Sequence, residues 1–149
     1  MKIIGCIFIV ISSIYSSYLY EKHLKKKIQD VGELFELIIH IKSQIEYFAK
    51  PIKDIFNEYN TENEAIKDVL TSKENSNLSF LEGNTREASL SLLSELGKGY
   101  KKEQISLCEY TASSLLEYKR SLISDYSRRV RVSRSICLFM GACTIILLV

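Results

Sequence analysis

An all-α chain is predicted, in which two transmembrane helices flank a cytoplasmic bundle of about five helices. Three observations predict it. Uncharged apolar runs occupy both ends, Ile3 to Tyr20 and Ser135 to Val149. Each run abuts a basic block: Lys22, Lys25, Lys26 and Lys27 at one end, Arg128, Arg129, Arg131 and Arg134 at the other. Between the blocks, apolar residues recur at steps of three and four, and no alternating stretch suggests a strand. Cations beside an uncharged run mark a membrane boundary, because an ionised side chain is costly in the hydrocarbon core. The predicted division is an N-terminal span at 1–20, a bundle at 21–134 and a C-terminal span at 135–149. Both basic blocks border the central region, so the positive-inside rule makes it cytoplasmic and leaves both termini outside.

The first run holds 18 residues, and a helix of that length covers about 27 Å of a core roughly 30 Å thick. A signal peptide competes with a retained anchor here, since Lys2 precedes the apolar run. The strongly basic residues that follow and the absence of a small-residue cleavage site favour the anchor. Ser12 and Ser16, like Ser13 and Ser17, are four apart and offer small faces for helix packing. Tyr15, Tyr18 and Tyr20 suit the aromatic belt at the inner interface.

The next helix continues out of the membrane. Val31, Leu34, Phe35, Ile38, Ile41, Ile45 and Phe48 form its apolar face, with Glu33, Glu36, His40, Lys42 and Glu46 turned away. Pro51 interrupts it and is predicted to open a second helix at its first turn, holding Ile52, Ile55, Phe56 and Tyr59. Thr61 with Glu64 reads as a capping box for a short third helix. Residues 71–83 are polar and read as a loop, pinned to the bundle by Leu78, Phe80 and Leu81. Asn84 with Glu87 starts the fourth helix, which carries Ala88, Leu90, Leu92, Leu93 and Leu96. Gly97 and Gly99 end it, because glycine takes the left-handed conformation of a helix C-terminus. From Lys101 a long helix places Ile105, Cys108, Ala112, Leu115, Leu122 and Tyr126 on one face and feeds into the last span. That span is short: the 14 residues from Ile136 cover about 21 Å. A buried core helix is the competing reading, and Arg134 reaching back to the headgroups makes up part of the deficit.

Charge excludes several function classes. The net charge is only +2, yet all 18 acidic residues lie between Glu21 and Asp125. Residues 30–127 hold 17 acidic against 11 basic side chains, so the positive charge sits beside the apolar runs. Membrane lipids are therefore the expected partner of the basic blocks, and nucleic acid is not. Cys6, Cys137 and Cys143 lie in apolar segments and Cys108 stands alone, as small fillers in a reducing compartment. His40 and Glu36 are four apart and read as a surface ion pair. No nucleophile elbow, zinc-protease motif or phosphate loop occurs, so neither an enzyme nor a cofactor is expected.

Two short signatures carry a resemblance to a known family. Ile45, Glu46 and Tyr47 stand ahead of Pro51 and Ile52, and Leu96-Gly97 is followed seven residues on by Gln104. With an N-terminal span, a basic turn, a basic last helix and an apolar tail around Gly141, the whole chain resembles the stage III sporulation protein AB family. It departs from that pattern at Lys50, where the family commonly has threonine, and at Ser135 to Cys137, where it often has glycine. The family is similar to the inner-membrane platform F protein of type II secretion systems. The resemblance implies a component of the mother cell–forespore channel, in the mother-cell membrane around the forespore and needed for late forespore gene expression. It further implies that the bundle docks a cytoplasmic ATPase, stage III sporulation protein AA, and meets other channel components, with no small-molecule substrate. Self-association into a homo-oligomer is left open. Within that reading Pro51, Gly97, Gly99 and Gln104 are the candidate partner-contact residues. Plain roles compete with it, helix termination for Gly97 and a solvated first turn for Gln104. A membrane-anchored helical signalling or regulatory adaptor is the rival function, and the few residues outside the membrane count against it.

Overall fold

The structure, a computed structural model, describes residues 2–48, 50–72 and 78–148. The side chains of residues 2–10, 13, 16, 17, 133, 134, 137, 138 and 140–148 lie outside that description. The described residues are all-helical, with no strand among them. Five α-helices follow in order: α1 (Lys2–Ser43), α2 (Ile52–Glu58), α3 (Glu64–Ser72), α4 (Gly83–Glu95) and α5 (Lys101–Leu148). A π-helical turn, Gln44–Phe48, extends α1.

Among the described residues, no helix is long and apolar enough to cross a membrane. The spans expected at 1–20 and 135–149 are thus not found there. Most of the apolar side chains that prompted them, residues 3–10, 137, 138 and 140–148 above all, lie outside the description.

The chain divides into two compact units. The first comprises Met1–Lys26 and Ser121–Val149. Within it Leu24 and Leu122 are buried, and polar contacts join α1 to α5. The Tyr126 hydroxyl donates to Glu21 at 2.5 Å, and Arg129 donates to the Tyr20 hydroxyl at 2.7 Å with its guanidinium over the ring.

The second unit, Lys27–Arg120, contains most of the described core. On α1 that core is Val31, Leu34, Leu37, Ile38 and Ile41, all fully or almost fully buried. Ile45 extends it, but Phe48 does not: it is 64% exposed and Tyr47 73%. The cause is the π turn, whose i→i+5 bonding inserts an extra residue and carries Phe48 off the face that a 3.6-residue period assigns to it. Leu37, absent from the predicted face, is fully buried beside Ile38.

Helix starts also differ from expectation. Pro51 sits one residue outside α2 with extended backbone (φ −60°, ψ 139°), and its carbonyl accepts from the amides of Asp54 and Ile55. Asn63, not Thr61, caps α3. Its Oδ1 accepts from the Ala65 amide at 3.0 Å, while its Nδ2 donates to the buried Asp30 carboxylate at 2.8 Å. Thr61 accepts from the Asn63 amide at 3.2 Å, a local turn that competes with a capping box. No side chain caps α4, which begins at Gly83 (φ +55°) rather than through Asn84.

The expected pins Leu78, Phe80 and Leu81 are buried, while residues 73–77 of the predicted loop lie outside the description. On α4 the buried face is Thr85, Ser89, Leu92 and Leu93, with Leu90 only half-buried. Ser89 donates to the Thr85 carbonyl at 2.8 Å and Ser114 of α5 to the Thr85 hydroxyl at 3.2 Å. Small hydroxyl residues thus satisfy their own polarity where α4 meets α5. Cys108, Ala112 and Leu115 are buried on α5, as the period predicts.

Candidate functional site

Helix ends and the links between them build a concave feature of the second unit. It is a cleft of about 540 Å³. The π turn contributes Ile45, the link to α2 contributes Lys50 and Pro51, and α2 contributes Ile52 and Lys53. Leu96 and Gly97 come from the end of α4, and Lys101 and Gln104 from the first turn of α5. Three of the four sequence-selected positions, Pro51, Gly97 and Gln104, therefore line one cleft although 53 residues separate the first from the last.

Each wall has a local cause. The missing N–H of proline keeps Pro51 out of a helix interior, so the chain turns there. At the end of α4 the Leu96 amide still donates to the Leu92 carbonyl at 2.9 Å, and Gly97 then takes φ +90°. A Cβ on Gly97 would meet Ile52 Cγ1 at an ordinary 3.5 Å, so the backbone and not crowding selects glycine there. Gly99 does not line the cleft. Its carbonyl accepts from Gln104 Nε2 at 2.7 Å, which fixes the Gln104 side chain across the turn. Glu103 accepts from the Tyr100 amide at 3.2 Å and closes the start of α5.

Electrostatically the cleft is basic. Lys50 donates to both oxygens of Glu58, at 3.0 and 2.8 Å. Lys101 donates to the Glu46 carbonyl at 2.6 Å, tying α5 to the π turn. Lys53 is exposed. Three exposed aromatics, Tyr47, Phe48 and Tyr100, stand within three residues of a cleft lysine in sequence. Among the described lining residues no hydroxyl or thiol nucleophile stands beside a base.

The predicted interface cations divide. Lys22, Lys26, Arg128 and Arg131 are exposed, and the side chain of Arg134 lies outside the description. Lys25 meets Glu21 at 3.3 Å and lies over the Tyr126 ring; hydrogen bonding with Tyr126, then with Glu21, raises its pKa. Arg129 is engaged by Tyr20. Lys27 belongs to the second unit, where it pairs with Glu82 and lies over Tyr118. Burial works against its charge, but the hydrogen bonds to Glu82 and Tyr118 outweigh it and raise the pKa.

The expected Glu36–His40 ion pair does not form. The imidazole packs against the Tyr59 ring instead, centroids 5.4 Å apart and inclined 50°. Among the described residues no three His, Cys, Asp or Glu side chains converge to hold a metal ion. Cys108 is fully buried, and desolvation raises its pKa to about 11, so it stays a thiol at neutral pH.

Sequence reasoning missed Lys53, Lys101 and Ile45 as cleft residues. The common signal was adjacency to the chosen turn residues, since each lies within six positions of Pro51 or Gln104.

A family model described as stage III sporulation protein AB matches residues 2–76, half of the chain. Pro51 lies inside the matched stretch, and Gly97, Gly99 and Gln104 lie beyond it. No curated protein and no solved structure matches the chain.

Proposed function

The chain belongs to the stage III sporulation protein AB family, and on that premise we propose that it is a non-enzymatic membrane platform of the mother cell–forespore channel, docking a cytoplasmic ATPase. The family indicates a role in stage III of sporulation. One observation carries the docking reading: a cleft assembled from the π turn, α2 with its link, the end of α4 and the start of α5 gathers Pro51, Gly97 and Gln104, with no grouping suited to catalysis among its described lining residues. Turn residues brought together by separate helices make a shaped surface, and a shaped surface without reactive groups is suited to binding. The membrane reading rests on the uncharged runs at 3–20 and 135–149 and the cations beside them. In it both termini face outward, the bundle is cytoplasmic, and the platform lies in the mother-cell membrane around the forespore.

The test is capture of stage III sporulation protein AA by the full chain in mild detergent. Gly97→Trp fills the cleft and Gln104→Ala removes the side chain that spans its turn; each is expected to weaken capture while circular dichroism stays helical. Absence of capture by the folded wild-type chain removes the ATPase from the reading. Reporter fusions at the two ends, active only outside the cytoplasm, check the topology; silence of either fusion on an expressed chain would sink the two-span arrangement.

A further inference from the structure

The cleft has a charge character opposite to that of the region around it. Residues 30–127 are acidic overall, 17 carboxylates to 11 cations, yet three lysines line the cleft and none of its described lining residues is acidic. Two of those lysines already show what they bind. Lys50 holds both oxygens of the Glu58 carboxylate, and Lys101 a backbone carbonyl. The Lys53 ammonium makes no hydrogen bond or ion pair among the described residues. Ile45, Ile52 and Leu96 line the same cleft and supply its apolar surface. A free phosphate or sugar would have no use for that apolar surface. A purely apolar segment would leave the Lys53 ammonium to be desolvated without a partner, which is costly.

Resting on the docking reading above, we propose that the cleft receives an acidic segment of a partner protein whose carboxylates flank an apolar anchor residue. The anchor lies on Ile45, Ile52 and Leu96, and the carboxylates meet Lys53 and Lys101. Charge pairs on an open surface contribute mainly to encounter rate and discrimination, so binding is salt-sensitive.

The probe is a fluorescein-labelled peptide, Asp-Glu-Leu-Phe-Asp-Glu, titrated with the full chain in nonionic detergent and read by anisotropy. Two comparison peptides are Asn-Gln-Leu-Phe-Asn-Gln and Asp-Glu-Ser-Ser-Asp-Glu. The first peptide is expected to bind at least ~10-fold more tightly than either, and to weaken by about the same factor with Lys53→Glu plus Lys101→Glu or on raising salt from about 0.05 to 0.5 M. Lys53→Glu alone, an exposed change, is expected to weaken it several-fold with no loss of helicity. Equal binding of the neutral peptide, or indifference to Lys53→Glu, overturns the proposal. So does a dimer of the chain that Lys53→Glu dissociates while the peptide fails to bind, which would assign the cleft to a second copy. ATPase capture by the same variants separates this inference from the platform reading. Peptide binding without ATPase capture keeps the acidic segment and removes that ATPase. Capture that survives Lys53→Glu, with no peptide binding, keeps the platform and removes the acidic segment.

Discussion

Asn63 bonds in two directions at once, and its loss illustrates how a single polar residue holds elements of this fold together. Its carbonyl oxygen caps α3 while its amide group holds the Asp30 carboxylate, which is only 6% exposed. Asn63→Ala removes a cap, worth about 1 kcal/mol, and leaves a buried acceptor short of a partner at a further 1–2 kcal/mol or so. A loss of roughly 2–3 kcal/mol in urea unfolding is expected; a change near zero would mean that water replaces both bonds. Gly97 is a separable case, because its φ of +90° strains any other residue while its surroundings leave room for a methyl group. Gly97→Ala is expected to cost about 1–2 kcal/mol through the backbone alone. A smaller effect in thermal unfolding would show that the turn after α4 relaxes into ordinary backbone.

The end of α1 and the buried face of α4 show how far periodicity reaches at the scale of elements. From Val31 to Ile45 the three-and-four spacing tracks burial except at Phe35, which is half-buried, and Leu37, which is buried off the predicted face; at Phe48 it fails because the π turn changes the number of residues per turn. The register has a direct test. Phe48→Ser removes an exposed ring and is expected to change stability by about 0.5 kcal/mol or less, while Leu37→Ala empties a fully buried site and costs roughly 2–5 kcal/mol. The reverse ranking in denaturant titrations would restore the unbroken α-helical register. On α4 the hydrophobic ranking favoured Leu90, Leu92 and Leu93; Leu92 and Leu93 are buried, but Thr85 and Ser89 are inside in place of Leu90, and each hydroxyl finds a partner. Intrinsic hydrophobicity is a poor guide where a small side chain can turn its polar atom onto a neighbouring carbonyl.

For the whole molecule, alkaline pH is the condition that tests several of these environments together. The folded Cys108 has its pKa raised from 9.0 to about 11 by burial, and the Lys27 ammonium is held above its ordinary range by Glu82 and Tyr118 against the cost of burial. A raised folded-state pKa contributes stability that is complete below the unfolded value and lost as pH rises through the folded one. The urea midpoint is therefore expected to be flat up to about pH 9 and to fall towards pH 11, with Cys108→Ala removing part of the slope. A midpoint that stays level over that range would show that Cys108 and Lys27 do not differ between folded and unfolded states. Native Cys108 is likewise expected to resist alkylation at neutral pH and to react once the chain is unfolded.

The sequence by itself determined the helical class, the terminal apolar runs with their cations, and the turn at Gly97, because each depends on residues close together in the chain. Periodic apolar positions need only a common face, and a glycine at positive φ needs only its own backbone. Through the family resemblance it also singled out Pro51, Gly97, Gly99 and Gln104 as candidate partner-contact residues. Only the tertiary structure decided that Pro51, Gly97 and Gln104 line one cleft with Lys50, Lys53 and Lys101, that Asn63 rather than Thr61 caps α3, and that His40 faces Tyr59 rather than Glu36. Those outcomes turn on which helix ends are brought side by side and which local bonds then compete. Burial across elements settles both, and spacing along one element carries no record of it.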